Sequence, residues 1–185
     1  AQKSLDLLQP TAYGETFNPA PTVKVCFHDA GHILGSAWLE VTVSGGAHPR
    51  RLVFSGDIGM RDRPVLNDPE KIIPSADLLL IESTYGDRLH RPMQETEEEI
   101  VVAFERTRSS RGNLIIPAFA VGRTQTLLYY FFRLHREGRL DPDIPIIIDS
   151  PLAINATRVF LKNFRDFDED ALKVFGRLRG RLHGG

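Results

Sequence analysis

The chain has 185 residues, of which 42% are hydrophobic and 25% are charged. That balance is typical of a folded globular protein and excludes a disordered or fibrous chain. The net charge of −1 excludes nucleic-acid binding through a high overall positive charge, so contact with a polyanion would depend on local basic patches or metal ions.

Three further features bear on compartment and completeness. No apolar run approaches the roughly 20 residues needed to cross a bilayer, so no membrane partner is expected. The single cysteine, Cys26, excludes an internal disulfide and fits a reducing compartment, which predicts a cytoplasmic protein. The chain begins at Ala1 without a methionine and ends in an Arg/Gly-rich tail without a closing element, so we expect an internal piece of a longer polypeptide.

The first half of the chain predicts a sheet built from hairpins. Residues 23–27, 37–44 and 51–55 have the apolar or alternating pattern of β-strands, and a glycine pair marks the turn between the second and the third. Residues 77–82 form a continuous apolar run bounded by charge. Such a run is typical of a central strand that is buried on both faces.

Near residue 88 the pattern changes to alternating helices and strands. The pattern predicts helices over 92–107, over 122–137 and from Ser150 onward, with strands at 113–117 and 144–149 between them. Buried strands that alternate with helices indicate parallel βαβ units. The sequence therefore predicts an α/β protein with a hairpin-rich part over 1–87 and a Rossmann-like part over 88–185.

Two residues of the hairpin-rich part are candidate metal ligands. His32 lies on a loop after the first predicted strand, where Gly31 and Gly35 free the backbone to aim the imidazole. Asp57 follows the third strand, and the residues between His32 and Asp57 suffice for one strand, a turn and a returning strand. The side chains of His32 and Asp57 can therefore reach the same edge of the sheet. Imidazole and carboxylate together suit zinc better than calcium or magnesium. On the residues alone, His32 can equally be structural and Asp57 can simply cap a turn.

Glu82 is a third candidate, because it ends an apolar strand where an unpaired carboxylate is costly to desolvate. It therefore turns into a polar cleft or has a committed partner. Beside His32, Asp29 is a candidate to fix the tautomer of the imidazole, and His28 is expected to face solvent. Three arginine clusters are candidate basic patches, although solvated helix ends and a tail explain them more simply: Arg106/Arg108/Arg111, Arg133/Arg136/Arg139 and Arg177/Arg179/Arg181.

Five motifs of the chain resemble, in order, those of the β-CASP branch of metallo-β-lactamase-fold nucleases. They are GHILGSA at 31–37, SGD at 55–57, ESTYG at 82–86, PAFAVGR at 117–123 and DSPLA at 149–153. That branch includes the endonuclease subunit of the mRNA 3′-end cleavage factor and its bacterial and archaeal relatives. The resemblance covers nearly the whole chain. It implies part of a metallo-β-lactamase αββα sandwich over 1–87 and the first half of a Rossmann-like β-CASP insertion over 88–185.

The resemblance also implies roles for the three candidates. His32 is similar to the zinc ligand of the family's third motif, and Asp57 is similar to the fourth-motif aspartate that bridges two metal ions. Glu82 is similar to the acidic residue of motif A, which holds a histidine contributed later in the chain. The family's H-x-H-x-D-H motif and its late histidines are absent here, and the family would place them upstream and downstream of this chain.

The function that this resemblance implies is a fragment of a zinc-dependent hydrolase that cleaves RNA phosphodiester bonds. Asp57 and Glu82 are the catalytic candidates, His32 and Asp57 are the metal ligands, and the complete protein would hold two zinc ions. Single-stranded RNA is the implied substrate, and a homodimer or an RNA-processing complex is the implied assembly. We expect the isolated fragment to be inactive and to bind zinc weakly, because two ligands cannot build a closed site.

Two other functions stay open. The first is a non-catalytic β-CASP scaffold subunit of an RNA-processing complex. Such subunits usually lose ligands, so the retention of His32, Asp57 and Glu82 argues against it. The second is a small-molecule metallo-hydrolase of the same superfamily, against which motif A and the Rossmann-like insertion speak.

Overall fold

A computed structural model describes residues 2–71, 75–89, 92–163, 167 and 169–182, with the side chains of residues 2 and 176–182 left undescribed. The residues group into two compact units. Ala1–Arg61 and Asp68–Ser83 form the first, here called the sheet unit, and Asp62–Asn67 and Thr84–Gly185 form the second, the helical unit. Within the described ranges, no helix is both long and apolar enough to span a bilayer.

The sheet unit holds a five-stranded sheet whose spatial order follows the chain. After the short helix α1 (Gln2–Leu5) come β1 (Thr16–Ala20), β2 (Val23–Asp29), β3 (Ala37–Val43), β4 (Arg50–Phe54) and β5 (Leu78–Leu80). The first four strands pair antiparallel through successive hairpins, and β5 pairs parallel with β4. The predicted hairpin strands are confirmed within one or two residues. The prediction missed β1, because Asn18 and Pro19 interrupt its alternation, as an edge strand tolerates.

The core of the sheet unit is centred on Trp38, which is fully buried together with Ala30 and Val53. His28 lies directly opposite Trp38 in the β2–β3 register, and the two rings stack with centroids 3.9 Å apart. The expectation that His28 faces solvent is therefore wrong, since its side chain is only 14% exposed. Strand alternation put it on the face that carries the tryptophan, and its Nδ1 lies 3.0 Å from Glu70 Oε1.

The apolar run at 77–82 forms a shorter and more exposed strand than predicted. Only Leu78–Leu80 pair, and the three leucines and Ile81 are exposed. The prediction of burial on both faces is wrong because it requires covering elements, and the described residues supply none. The strand pairs parallel with β4.

The helical unit contains α2 (Met93–Ser109), α3 (Arg123–Arg136), α4 (Pro151–Phe160) and α5 (Glu169–Leu182). Its main apolar core consists of Phe104, Phe131, Leu134 and Leu140. The three predicted helices are confirmed, and Ser150 caps α4 as expected by accepting the backbone N–H of Ala153 at 3.2 Å. The fourth, α5, escaped the prediction.

The strands predicted at 113–117 and 144–149 do not form. Both segments are described without strand structure, and Ile115 and Ile147 are 84% and 81% exposed. A parallel strand needs a neighbouring strand that is distant in sequence, and within the described ranges neither segment has one. The chain remains α/β, with β4 and β5 as the parallel pair of the described sheet.

Candidate metal centre

His32 lies in the loop that joins β2 to β3. The Ser36 hydroxyl oxygen accepts the backbone N–H groups of His32 and Ile33 at 3.1 and 3.2 Å. Gly31 and Gly35 adopt φ of 60° and 83°, a region that favours glycine. Polar contacts thus fix the loop backbone, while the His32 side chain is 44% exposed.

Asp57 lies in the loop that follows β4, and the backbone of this loop packs against the backbone of the first one. Gly59 N–H donates to the carbonyl of Ala30 at 2.8 Å. A Cβ at Gly59 would lie 1.9 Å from the carbonyl oxygen of Gly31, so only glycine permits this approach. The contact brings the residues just after β4 against the His32 loop.

The two candidate ligands meet as a consequence. His32 Nε2 and Asp57 Oδ2 lie 3.9 Å apart, with side-chain exposures of 44% and 72%. The two side chains therefore converge at one edge of the sheet, as expected. Their role as metal ligands stays a prediction.

Glu82 has a committed partner, which is one of the two alternatives that the sequence left open. Its Oε1 accepts the backbone N–H of Ile58 at 2.6 Å, and its own N–H donates to the hydroxyl of Ser55 at 3.0 Å. That hydroxyl donates to the carbonyl of Gly56 at 2.6 Å. Glu82 therefore supports the backbone after Asp57, and the Ser55 hydroxyl that it contacts supports the carbonyl before Asp57.

Several supporting residues escaped the sequence reasoning. Ser36, Ser55 and Gly59 all hold the two loops, and the clustering of small residues around both motifs was the signal that could have found them. Asp29 was expected to orient the imidazole of His32. In the structure its Oδ1 accepts the N–H of Gly31 at 2.8 Å, so this oxygen supports the loop backbone.

An ion pair fixes the register that carries Glu82 to Ser55. Asp77, directly before β5, accepts the backbone N–H of Arg51 and a guanidinium N–H of Arg50, both at 2.8 Å. Two hydrogen bonds lower the pKa of the Asp77 carboxyl below its usual value of 3.8. The one from the Arg51 backbone has the larger effect, and the one from the Arg50 guanidinium has the smaller.

The donors at the site fit a zinc ion in kind. Imidazole nitrogen and carboxylate oxygen are ligands that zinc takes, and two such atoms at about 2.1 Å from a tetrahedral ion lie about 3.4 Å apart. The observed separation of 3.9 Å is larger, so the two exposed side chains would have to close by about half an ångström around the ion. Among the described residues no group of three or more His, Cys, Asp or Glu side chains gathers into a metal site. As metal ligands, His32 and Asp57 would therefore form an incomplete set that needs further donors to close.

Two of the predicted arginine patches are partly neutralised by carboxylates. Arg133 and Arg139 both pair with Glu97, and Arg139 also donates to Glu98 at 2.6 Å. Arg108 lies 3.5 Å from Asp141. These arginines therefore contact carboxylates within the helical unit. The side chains of the third cluster, Arg177, Arg179 and Arg181, lie outside the described residues.

Comparison with known proteins gives a consistent set of relatives. A family model described as the Beta-Casp domain matches residues 124–182. Ribonuclease TTHA0252 of Thermus thermophilus is 40% identical over 94% of this chain and 38% of its own length. The RNase J-like protein of Methanocaldococcus jannaschii is 31% identical over 96% of this chain and 43% of its own length. Endoribonuclease YSH1 of Kluyveromyces lactis is 28% identical over 94% of this chain and 22% of its own length.

These matches extend over nearly all of the chain, whereas the chain spans about two fifths or less of the three relatives. The Beta-Casp match covers the helical unit from α3 to α5, and the relatives extend the similarity over the sheet unit and its His32–Asp57 site. The chain belongs to the β-CASP family of the metallo-β-lactamase fold.

Proposed function

We propose that the whole protein is a metal-dependent ribonuclease and that this chain supplies two of its metal ligands, His32 and Asp57. The observation that carries the proposal is the 3.9 Å separation of their Nε2 and Oδ2 atoms on two loops that pack backbone to backbone. Relatives named ribonuclease and endoribonuclease, at 40% and 28% identity, support the reaction class.

We assign the metal as zinc and the number of ions in the whole protein as two. Nitrogen and oxygen donors of this kind support zinc, and membership of the family implies a metal requirement. When bound, such a pair of ions supplies a hydroxide at neutral pH and offsets charge on the attacked phosphate. The neutral imidazole of His32 would present Nε2 to the metal, and the carboxylate of Asp57 would bridge.

Glu82 has a positioning role in this proposal. Its bond to Ile58 N–H holds the backbone next to Asp57. In the family that the motifs resemble, the acidic residue of motif A also holds a histidine contributed later in the chain. A carboxylate has two oxygens, so the bond from Ile58 to Oε1 is compatible with a second one from such a histidine to Oε2.

The domain division and the substrate belong to the same proposal. Residues 1–87 would be part of the metallo-β-lactamase domain and 88–185 part of the β-CASP domain, and the change from sheet to helical unit after Ser83 supports this. Single-stranded RNA is the proposed substrate. The net charge of −1 and the paired arginines suggest that metal ions supply much of the attraction for phosphate. We place the protein in the cytoplasm, as a homodimer or in an RNA-processing complex.

The test compares Asp57→Ala with Asp6→Ala in the full-length protein. Asp6 is an exposed aspartate of the same unit, far along the chain from the site. Outer-shell partners of a metal usually contribute about 10- to 100-fold, so loss of a ligand is expected to cost at least about 100-fold in cleavage of single-stranded RNA. Asp6→Ala is expected to match wild type, and a chelator should abolish cleavage until zinc is restored.

Unchanged cleavage by Asp57→Ala would contradict the proposal. If RNA processing in cells also continued with Asp57→Ala, the scaffold function would replace it. Cleavage that survives complete removal of metal would exclude the metal-dependent mechanism altogether.

A further inference from the structure

We infer that Ser55 is a positioning residue that aims Asp57 through its hydroxyl group. The inference rests on the proposed function of the site as a metal centre. Ser55 is 2% exposed and is one of two buried polar residues, with Gln125, in the described part of the chain. A buried hydroxyl is costly unless its hydrogen bonds are made, so a serine here has a specific reason to be polar.

The hydroxyl of Ser55 connects the ends of two neighbouring strands. Ser55 directly follows β4, and its Oγ accepts the N–H of Glu82, two residues beyond β5, at 3.0 Å. The same hydroxyl donates to the carbonyl of Gly56 at 2.6 Å. The backbone N–H of Ser55 donates to Leu80 at 2.9 Å, which continues the β4–β5 ladder to this point. Its side chain thus extends the pairing where the regular strands have ended.

Asp57 lies between the two polar contacts that Ser55 and Glu82 make with its loop. Ser55 holds the carbonyl of Gly56 before it, and Glu82 Oε1 holds the N–H of Ile58 after it. The second contact depends on the position of Glu82, which Ser55 helps to fix by accepting the Glu82 N–H. The Asp57 side chain itself is 72% exposed. Its aim is therefore set by the loop backbone rather than by packing around the carboxylate.

Removal of the hydroxyl should loosen this loop without emptying the core. In Ser55→Ala the N–H of Glu82 and the carbonyl of Gly56 lose a partner, while the apolar cluster of Trp38, Ala30 and Val53 keeps its atoms. The carboxylate of Asp57 would then sample more orientations, and the metal would have to order it on binding. By analogy with outer-shell partners of metal ligands, we expect zinc affinity to fall about 10- to 100-fold.

The experiment uses the full-length protein with three variants. Ser55→Ala removes the hydroxyl, Ser55→Thr keeps it, and Ser44→Ala removes an exposed serine just after β3 as the matched control. Zinc affinity is measured by competition with a chromophoric chelator. Trp38 is the only tryptophan of this chain and is fully buried, so its emission reports the fold of the sheet unit once any other tryptophan of the full-length protein is replaced by phenylalanine.

A second measurement follows the loop without metal. Amide hydrogen exchange of Glu82 in the zinc-free protein is expected to quicken about tenfold in Ser55→Ala, which matches the loss of one hydrogen bond. The inference predicts weaker zinc binding and faster exchange in Ser55→Ala with buried-type Trp38 emission. It also predicts recovery of most of the affinity in Ser55→Thr and wild-type behaviour in Ser44→Ala.

Three results would overturn the inference. Equal zinc affinity in Ser55→Ala and wild type would show that the hydroxyl does not aim Asp57. A shift of Trp38 emission to that of an exposed tryptophan would make Ser55 a residue of the fold rather than of the site. If the wild-type protein itself binds no zinc, the proposed function fails first and this inference falls with it.

Discussion

The two units of the chain are stabilised in different ways, and the candidate chemistry lies in the unit that depends less on apolar packing. The helical unit is built on an apolar core of Phe104, Phe131, Leu134 and Leu140. The sheet unit has a smaller buried cluster around Trp38, and at its site end it is held by backbone and serine contacts. Hydrogen bonds are directional, so they can fix the positions of two side chains to within about an ångström, whereas apolar packing alone would allow a wider range of positions.

The largest predicted effect concerns the core of the helical unit. Leu134 is fully buried, and Leu134→Ala is expected to lower the free energy of unfolding by about 2–5 kcal/mol because it leaves a cavity among the aromatic rings. Chemical denaturation followed by far-UV circular dichroism measures it. The exposed Leu152 of α4 offers the control, for which Leu152→Ala should stay within about 0.5 kcal/mol of wild type. An equal loss of unfolding free energy in Leu134→Ala and Leu152→Ala would contradict the placement of Leu134 in the core.

A smaller effect on stability, with a large one on the site, is expected from Gly59→Ala. The added Cβ would lie 1.9 Å from the carbonyl oxygen of Gly31, so the two loops must move apart. Overpacking of this kind costs about 1–3 kcal/mol, and separation of His32 from Asp57 should weaken zinc binding as well. Gly46→Ala is the matched control, since its nearest atom would be 3.9 Å away. Denaturation followed by Trp38 fluorescence measures the loss of stability, and a zinc titration measures the affinity of the site. Wild-type zinc affinity in Gly59→Ala would show that Gly59 does not set the distance between His32 and Asp57.

The buried phenol of Tyr130 is expected to make the helical unit less stable at high pH. Burial raises the pKa of its phenol from 10.0 to about 12. The folded pKa exceeds the unfolded one, so this stability is complete below pH 10 and is lost as the pH rises toward about 12. Melting temperatures between pH 9 and about 12 should fall less steeply for Tyr130→Phe than for wild type. The exposed Tyr85 is the control. If the melting temperature of Tyr85→Phe depended on pH in the same way as that of Tyr130→Phe, the loss of stability at high pH could not be assigned to Tyr130.

The smallest effect is expected at Asp77, where the sheet unit responds to acid. Its folded pKa is lowered below 3.8, so its contribution is present above that pH and is lost as the pH falls through the folded value. Asp77→Asn should therefore melt slightly below wild type at neutral pH, and the two curves should converge in acid. A constant difference between them at all pH values would mean that the charge of Asp77 does not matter.

The sequence could predict the hairpins and the convergence of His32 and Asp57 because both depend on neighbours along the chain. A turn and an apolar strand suffice to bring residues of consecutive hairpin strands to one edge. The same local logic predicted three of the helices, and the (i, i+3, i+4) pattern of Ala171, Val174 and Phe175, all buried, could also have revealed α5.

The failures share a physical cause, which is dependence on partners distant in sequence. The apolar runs at 113–117 and 144–149 have strand composition, but a strand forms only against another strand. The hydrogen-bond partners of Ser55 and Glu82 were equally out of reach, because they depend on which backbone groups the β4–β5 register brings alongside. His28 is the exception, since its partner Trp38 is near in sequence and the error lay in the register of the β2–β3 hairpin, which pairs the two residues.

The most direct test of the metal centre is anomalous diffraction from crystals of the full-length protein grown with zinc. The proposal predicts an anomalous peak about 2.0–2.2 Å from both His32 Nε2 and a carboxylate oxygen of Asp57, and its loss in Asp57→Ala crystals. Clear density for both side chains with no peak between them, or a zinc ion bound only elsewhere, would contradict it.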